Sequence, residues 1–264
     1  MEIIGYIASV LIGVSLGLIG GGGSILTVPV LVYLFRIDAL LATEYSLFIV
    51  GISSTVGSLS YLKKGWVDLK ISLVFGIPSI ISIFLTRTYL LPLIPDELIQ
   101  IQSFIITKNI FLLLIFAGLM ILASYKMIRS RTSVEVLERR SAKENTLLAV
   151  GEGTLVGILT GLVGAGGGFM IIPALVNLLK VPMKTAIGTS LIIISLNSLI
   201  GFTASMNHAE IDWKLLISIA FIAVIGIIMG TQLSRKIKGE KLKPVFGWFI
   251  LIMGVYIITR EIFL

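Results

Sequence analysis

The sequence predicts an all-α polytopic membrane protein built from two inverted repeats, each a glycine-broken helical hairpin followed by three transmembrane helices. Three observations lead there. Of 264 residues, 56% are hydrophobic and 13% charged, with a mean hydropathy of +1.07, which is more apolar surface than one soluble core can hide. The stretch GLIGGGGSILTVP at Gly17–Pro29 returns as GLVGAGGGFMIIP at Gly161–Pro173, an offset of 144 residues. At that offset Leu31 matches Leu175, Ala42 matches Ala186, Ser46 matches Ser190, Ser54 matches Ser198 and Gly57 matches Gly201. Roughly a third of positions agree over this region, which marks an internal repeat. Finally, basic residues gather in alternate loops, as the positive-inside rule requires of a multi-pass chain.

Residues 3–19 form the first apolar helix, and the four glycines Gly20, Gly21, Gly22 and Gly23 break it. The apolar run from Ser24 to about Phe35 spans only roughly 18 Å, against a hydrocarbon core of about 30 Å. It is therefore expected to be the returning arm of a hairpin that turns inside the membrane. Arg36, Asp38 and Glu44 precede a span at 45–62, and Lys63, Lys64 and Lys70 mark the loop before a span at 69–86. Pro78 inside that span predicts a kink. Residues 87–108, with Pro92, Pro95, Asp96 and Glu97, read as an irregular loop or surface helix, and a further span covers 109–127. The first repeat thus occupies residues 1–128. A linker at 129–146 follows, within a polar stretch at 126–145 that carries six basic against three acidic residues. The second repeat, 147–264, restates the order: 147–163, a glycine break, 169–179, 185–206, 215–233 and 245–259.

The positive-inside rule decides whether each broken segment crosses once or turns back. With the linker cytoplasmic, a single crossing over 147–180 would place the basic loop Arg235, Lys236, Lys238, Lys241 and Lys243 outside. A hairpin places that loop inside with Lys180 and Lys184, and puts His208, Glu210 and Asp212 outside. The hairpin fits the charges. Run back through the first half, the same logic puts 36–44 and 87–108 outside, Lys63, Lys64 and Lys70 inside, and both termini outside. One hairpin plus three spans is an odd number of crossings, so the halves lie in opposite orientations, the plan of many secondary transporters.

A glycine run inside a bilayer strands backbone N–H and C=O groups, which is tolerated only where protein or a water-filled cavity surrounds it. The breaks therefore mark the interior. The returning arms begin near Ser24 and Gly168, so their free N–H donors and positive dipole ends point inward, where they attract anions. The candidate substrate site is accordingly Gly20, Gly21, Gly22, Gly23, Ser24, Gly164, Gly166, Gly167 and Gly168. Ser46 and Ser190, matched across the repeat, join it as hydroxyls able to complete an oxyanion's coordination. Ser53, Thr55, Thr189, Asn197 and the matched pair Ser54 and Ser198 lie nearby; hydrogen bonding within or between helices is the competing reading for each. Glycines at spacing four, Gly13 with Gly17 and Gly157 with Gly161, read as helix-packing positions. Glu152 is the one carboxylate within an apolar run, so it is either a candidate for proton coupling or an interfacial residue. Trp66 and Trp213 read as interface anchors.

Other chemistry finds little support. There is no cysteine, so disulfides and thiolate metal sites do not apply, and a lone His208 in a polar loop is a weak metal signal. No cofactor or metal is expected. Neither glycine run is followed by the lysine of a phosphate-binding loop, and neither fits G-x-G-x-x-G. The net charge of +7 lies in short loops, where it reports topology rather than nucleic-acid binding. An enzyme would need a nucleophile, base or metal constellation that these residues do not supply. A cleaved signal peptide is not expected, since no cationic segment precedes the first apolar run.

Two GxxGxGGG-like breaks, each followed by a proline, in a short multi-span chain with a basic central linker resemble the sulfite exporter TauE/SafE family of membrane transporters. The resemblance covers essentially the whole chain. It implies a carrier moving sulfur-containing organic or inorganic anions, such as sulfite or sulfonates, across the cell membrane, with the glycines of both breaks lining the substrate site. Ala165 stands where the first copy has Gly21, and Gly168 where it has Ser24, so the two breaks are not expected to contribute equally. The expected partners are a small anion and the lipid bilayer. Export needs no coupling ion, because moving an anion out of a negative interior gains roughly 2.3 kcal/mol per charge per 100 mV. The scarcity of buried carboxylates agrees with export. A cation channel or carrier using the same glycine-loop carbonyls is the alternative.

Overall fold

The computed structural model describes residues 2–101, 104–129, 142–164, 166–179, 181–206, 211–234 and 239–263. Ala165, Lys180, His208, Glu210, the centre of the linker at 130–141 and the basic residues at 235–238 lie outside the described residues. Helix α1 (Glu2–Ile19) stops at the first glycine run, a 3₁₀ turn covers Gly21–Gly23, and α2 (Ser24–Tyr33) leads away from it. The chain then comes back to where α1 began. The ring of Phe35 lies against Gly5 and meets Tyr6 edge-on with 5.6 Å between centroids. The first break is a hairpin, as its short second arm requires.

Asp38 caps α3 (Ala39–Leu62) by accepting from the Leu40 N–H, and Asp68 caps α4 (Leu69–Leu85) by accepting from that of Ile71. Each carboxylate satisfies one orphan donor of a first turn. Beyond Leu85 the helix does not end at the polar Arg87. It widens into a π-helical turn over Thr86–Leu90 and runs on through α5 (Leu91–Leu93). The stretch expected to be a loop or surface helix is therefore the end of a 69–93 span, followed by an antiparallel hairpin of β1 (Glu97–Ile101) and β2 (Phe104–Thr107). Pro92 does not cut the span short because it falls one residue before its end at Leu93, so its missing N–H affects only the last turn.

The remaining helices are α6 (Lys108–Arg129), α7 (Ala142–Val163), α8 (Gly168–Pro173) with a π turn over Ala174–Leu178, α9 (Met183–Ser205), α10 (Trp213–Leu233) and α11 (Gly239–Phe263). Pro173 and Ala174 share one groove with Glu152, Leu155 and Val156 of α7, so the second break also folds back along the arm that precedes it. Among the described residues, six helical segments are long and apolar enough to cross a membrane: 39–62, 69–93, 108–125, 146–163, 183–205 and 213–233. Their polarity is turned inside out. Leu69, Leu73, Ile77 and Ile81 of α4, at spacing four, are exposed, while Ser72, Ser79 and Ser82 of the same helix are buried. Such a face suits lipid and not water, and the chain is a multi-pass membrane protein.

Packing unites the halves. Helix α1 lies on α10 and α7 on α4, while α3 pairs with α9 and α6 with α11. This set of pairs is unchanged when α1 is exchanged for α7, α3 for α9, α4 for α10 and α6 for α11, the helices that the 144-residue offset relates. A methyl group on Gly13 would overlap the Ala223 carbonyl, one on Gly17 that of Ile227, and one on Gly157 that of Ser79. Glycines at spacing four thus set the close helix crossings, the packing role expected of them. The exchange extends to hydrogen bonds. The Asp212 N–H donates to the Tyr45 hydroxyl at 2.6 Å, and the Asp68 N–H donates to the Thr189 hydroxyl at 2.9 Å; Asp68 and Asp212 are repeat partners, as are Tyr45 and Thr189. Ile12, Leu16, Val50, Phe75, Val156, Leu191 and Ile227, drawn from both halves, belong to one buried cluster.

Candidate functional site

The two glycine breaks touch. A methyl group on Gly21 would overlap the backbone of Gly168, and one on Gly168 would overlap the Cα of Gly21. Only residues without a side chain permit that approach. The breaks reach it by different routes. In the first, Gly20 alone takes a positive φ, 78°, before the 3₁₀ turn of Gly21, Gly22 and Gly23. In the second, Gly164, Gly166 and Gly167 take φ of 73°, 65° and 70° before α8 begins at Gly168.

The buried hydroxyls of Ser24, Ser190, Ser198 and Thr160 lie against the glycines of the breaks. Ser24 donates to the Gly21 carbonyl at 2.7 Å and ties the first break to itself. Ser190 lies against Gly20, its Oγ 2.9 Å from where a Cβ would stand, and donates to the Ile187 carbonyl of its own helix at 2.8 Å. Its repeat partner Ser46 is as deeply buried, but its Oγ has no hydrogen-bond partner. The hydroxyls of Ser53, Ser54, Ser198 and Thr160 are buried and unpaired too. Ser198 lies against Gly166 and Thr160 against Gly167. The matched pair Ser54 and Ser198, ranked below Ser46 and Ser190 on sequence grounds, is unpaired in both copies. A buried polar group left unpaired costs about 1–3 kcal/mol, so the unpaired hydroxyls of Ser198 and Thr160 against the second break call for a functional explanation.

Nothing in the repeat points to the charged part of the site. Arg87, expected in an outer loop, is 1% exposed and lies against Gly164, its Nη2 2.7 Å from where a Cβ would stand. It donates from Nη2 to the Thr43 hydroxyl at 3.0 Å and from Nη1 to that of Ser205 at 3.3 Å, and its Nε has no partner. Glu44, expected ahead of its span, is 3% exposed inside α3, with Oε2 unpaired. Both charges are inside because helix α3 starts at Asp38 and α4 continues past Leu85, so the first charged residue is not where either helix ends. The signal that could have found Arg87 is the absence of any helix breaker between Pro78 and Pro92. Glu44 also corrects the premise that Glu152 is the only carboxylate inside an apolar helix. The repeat partners of Arg87 and Glu44 are Thr231 and Gly188, so this charge pair belongs to one half only.

Glu152 lies apart from Arg87 and Glu44. It is partly exposed in a largely apolar groove of about 420 Å³ with Leu119, Leu122, Met170 and Pro173. Val156, one turn further along α7, touches Gly167. Trp66 carries the Lys184 ammonium over its ring at 4.8 Å. Among the described residues no group of three or more His, Cys, Asp or Glu could hold a metal ion.

Comparison with known proteins agrees with this architecture. The family described as Sulfite exporter TauE/SafE matches residues 6–257. A "Probable membrane transporter protein" of Xylella fastidiosa is 29% identical, over 95% of this chain and 92% of its own length. The "Probable membrane transporter protein YunE" of Bacillus subtilis is 26% identical over 93% of each chain. A further probable membrane transporter, from Methanocaldococcus jannaschii, is 26% identical over 97% of this chain and 93% of its own. No solved structure matches. With its opposed glycine breaks, its lipid-facing helices and a family match that spans nearly the whole sequence, the chain belongs to the sulfite exporter TauE/SafE family and is a membrane transporter rather than an enzyme.

Proposed function

We propose that the chain is a secondary carrier that exports a small sulfur-containing anion of the sulfite or sulfonate type, binding it between the two glycine breaks and releasing it by alternating access. The observation that carries this reading is the backbone contact of Gly21 with Gly168, with the unpaired hydroxyls of Ser198 and Thr160 against Gly166 and Gly167 of the second break. An oxyanion presents several strong acceptors, and hydroxyls supply donors without fixing it by full charge. Arg87 beside Gly164 adds a buried positive charge, which favours an anion over a cation in the same place. Gly20 to Gly23, Gly164 and Gly166 to Gly168 form the frame, and Ser24 and Ser190, already bonded to backbone carbonyls, hold it.

The halves at 1–128 and 147–264 act as inverted repeats joined by a cytoplasmic linker, with both termini outside. The exchange-symmetric pairing of helices supports this, since halves able to swap roles can offer one site to either face. Direction follows from charge: an anion leaving a negative interior gains roughly 2.3 kcal/mol per 100 mV. Sulfite and a short sulfonate are expected to leave proteoliposomes at a rate set by the imposed potential. Gly167→Leu is expected to abolish that flux, because φ there is 70° and the side chain would meet Thr160. Full flux in the folded variant would take the breaks out of the pathway, and no flux of either anion through folded parent protein would overturn the substrate class. A requirement for a proton gradient would bring Glu152 and Glu44 forward as coupling groups.

A further inference from the structure

The face that carries the β-hairpin also holds a pocket that lies beyond the breaks. It encloses about 210 Å³, and its walls include Leu40 and Glu44 of α3, Arg87 of the π turn, Pro92 of α5, Lys108 at the start of α6 and Ser205 at the end of α9. We propose that this pocket is a second binding station for the transported anion, placed between the aqueous face and the glycine breaks, with Arg87 and Lys108 as the binding cations and Glu44 as the competing charge.

The charge balance comes first. Two basic side chains face one carboxylate, so the pocket keeps a positive excess until an anion enters. Chemistry within it points the same way. Arg87 is 1% exposed, uses Nη1 and Nη2 on the hydroxyls of Ser205 and Thr43, and leaves Nε without a partner. A guanidinium offers donors in a rigid fork that matches the oxygens of an oxyanion. The same residue reaches the breaks, since its Nη2 lies against Gly164. An anion moving from pocket to breaks would therefore stay beside one cation throughout. The volume is below the range of about 300–1,000 Å³ that encloses drug-sized ligands, which suits a small hydrated ion. Thr231 and Gly188 occupy the repeat positions of Arg87 and Glu44, so the other half repeats neither charge and the station serves one face.

The ligand class rests on the transport reading above, but Lys108 and Glu44 belong to the pocket alone and Ser198 to the breaks alone, so the two can fail separately. Equilibrium binding of radiolabelled sulfite to the purified full-length chain in detergent is expected to give two sites per chain. Lys108→Gln, at the pocket wall, should weaken one of them about tenfold, the loss typical of one charged hydrogen bond. Glu44→Gln should tighten that same site, and Ser198→Ala should alter only the other. Opposite signs from Lys108→Gln and Glu44→Gln are what a merely structural ion pair cannot produce, since its loss would lower thermal stability and leave binding alone. One site per chain, unmoved by Lys108→Gln and Glu44→Gln but altered by Ser198→Ala, overturns the pocket and leaves the breaks standing. One site that Lys108→Gln weakens and Ser198→Ala does not touch supports the pocket and overturns the breaks as a binding site. Absence of saturable binding to the folded parent overturns both.

Discussion

Ser46, Ser54, Ser198 and Thr160 are buried with hydroxyls that bond nothing, and this sets stability against function at single residues. Removing such a hydroxyl loses no bond and relieves a desolvation penalty, so stability should stay level or rise by up to about 1 kcal/mol. If the hydroxyls hold the anion, transport should fall. Ser198→Ala and Thr160→Val are therefore expected to keep or raise the thermal midpoint while cutting sulfite flux about tenfold, the effect of losing roughly 1.4 kcal/mol of binding. Loss of stability together with flux would assign these hydroxyls to the fold. The glycines, Ser46 and Ser198 were legible in the sequence because both copies carry a related residue at the same place. Arg87, Thr43 and Thr160 were not, because their repeat partners Thr231, Ile187 and Leu16 differ in chemistry. A repeat reveals what two copies share and hides what one copy adds.

At the scale of elements, the existence of each span could be read from apolar length, and its ends could not. Helix α4 shows why. Arg87 looks like the end of an apolar run, yet Thr43 and Ser205 accept its donors and the helix carries it inward. The π turn at Thr86–Leu90 and the short α5 then extend the span to Leu93. The β-hairpin after it was hidden by Pro92, Pro95 and Asp96, which made the whole stretch read as loop. Glycine pairs at spacing four were better guides, because they respond to the close approach of a neighbouring backbone. Gly13→Leu would drive a side chain into the Ala223 carbonyl of α10. It is expected to cost about 1–3 kcal/mol or more, seen as a lower thermal midpoint in detergent. Gly118→Ala in α6, where a Cβ meets nothing within 4 Å, is expected to be neutral or slightly stabilising through helix propensity. A Gly13→Leu midpoint equal to that of Gly118→Ala would contradict the α1–α10 crossing.

For the whole molecule, the 144-residue offset shows in the sequence, whereas the interlocking of the two stretches it relates is a property of three dimensions. Each long hairpin arm lies on a helix of the other half, α1 on α10 and α7 on α4, so neither half buries its arm alone. The breaks meet at Gly21 and Gly168 as a consequence of that exchange. Under the proposed alternating access, movement of one half against the other would open the contact to one face and then to the opposite one. The chain has no cysteine, so a single thiol can report on this without background. The decisive measurement is labelling of Ser198→Cys, whose side chain lies against Gly166, by a membrane-impermeant maleimide added to either face of sealed vesicles, with and without ethanesulfonate. Labelling from both faces, slowed at each by the anion, is the predicted result. A thiol that no reagent reaches, or that reacts from one face only and ignores the anion, would contradict an anion site shared by two opposed breaks.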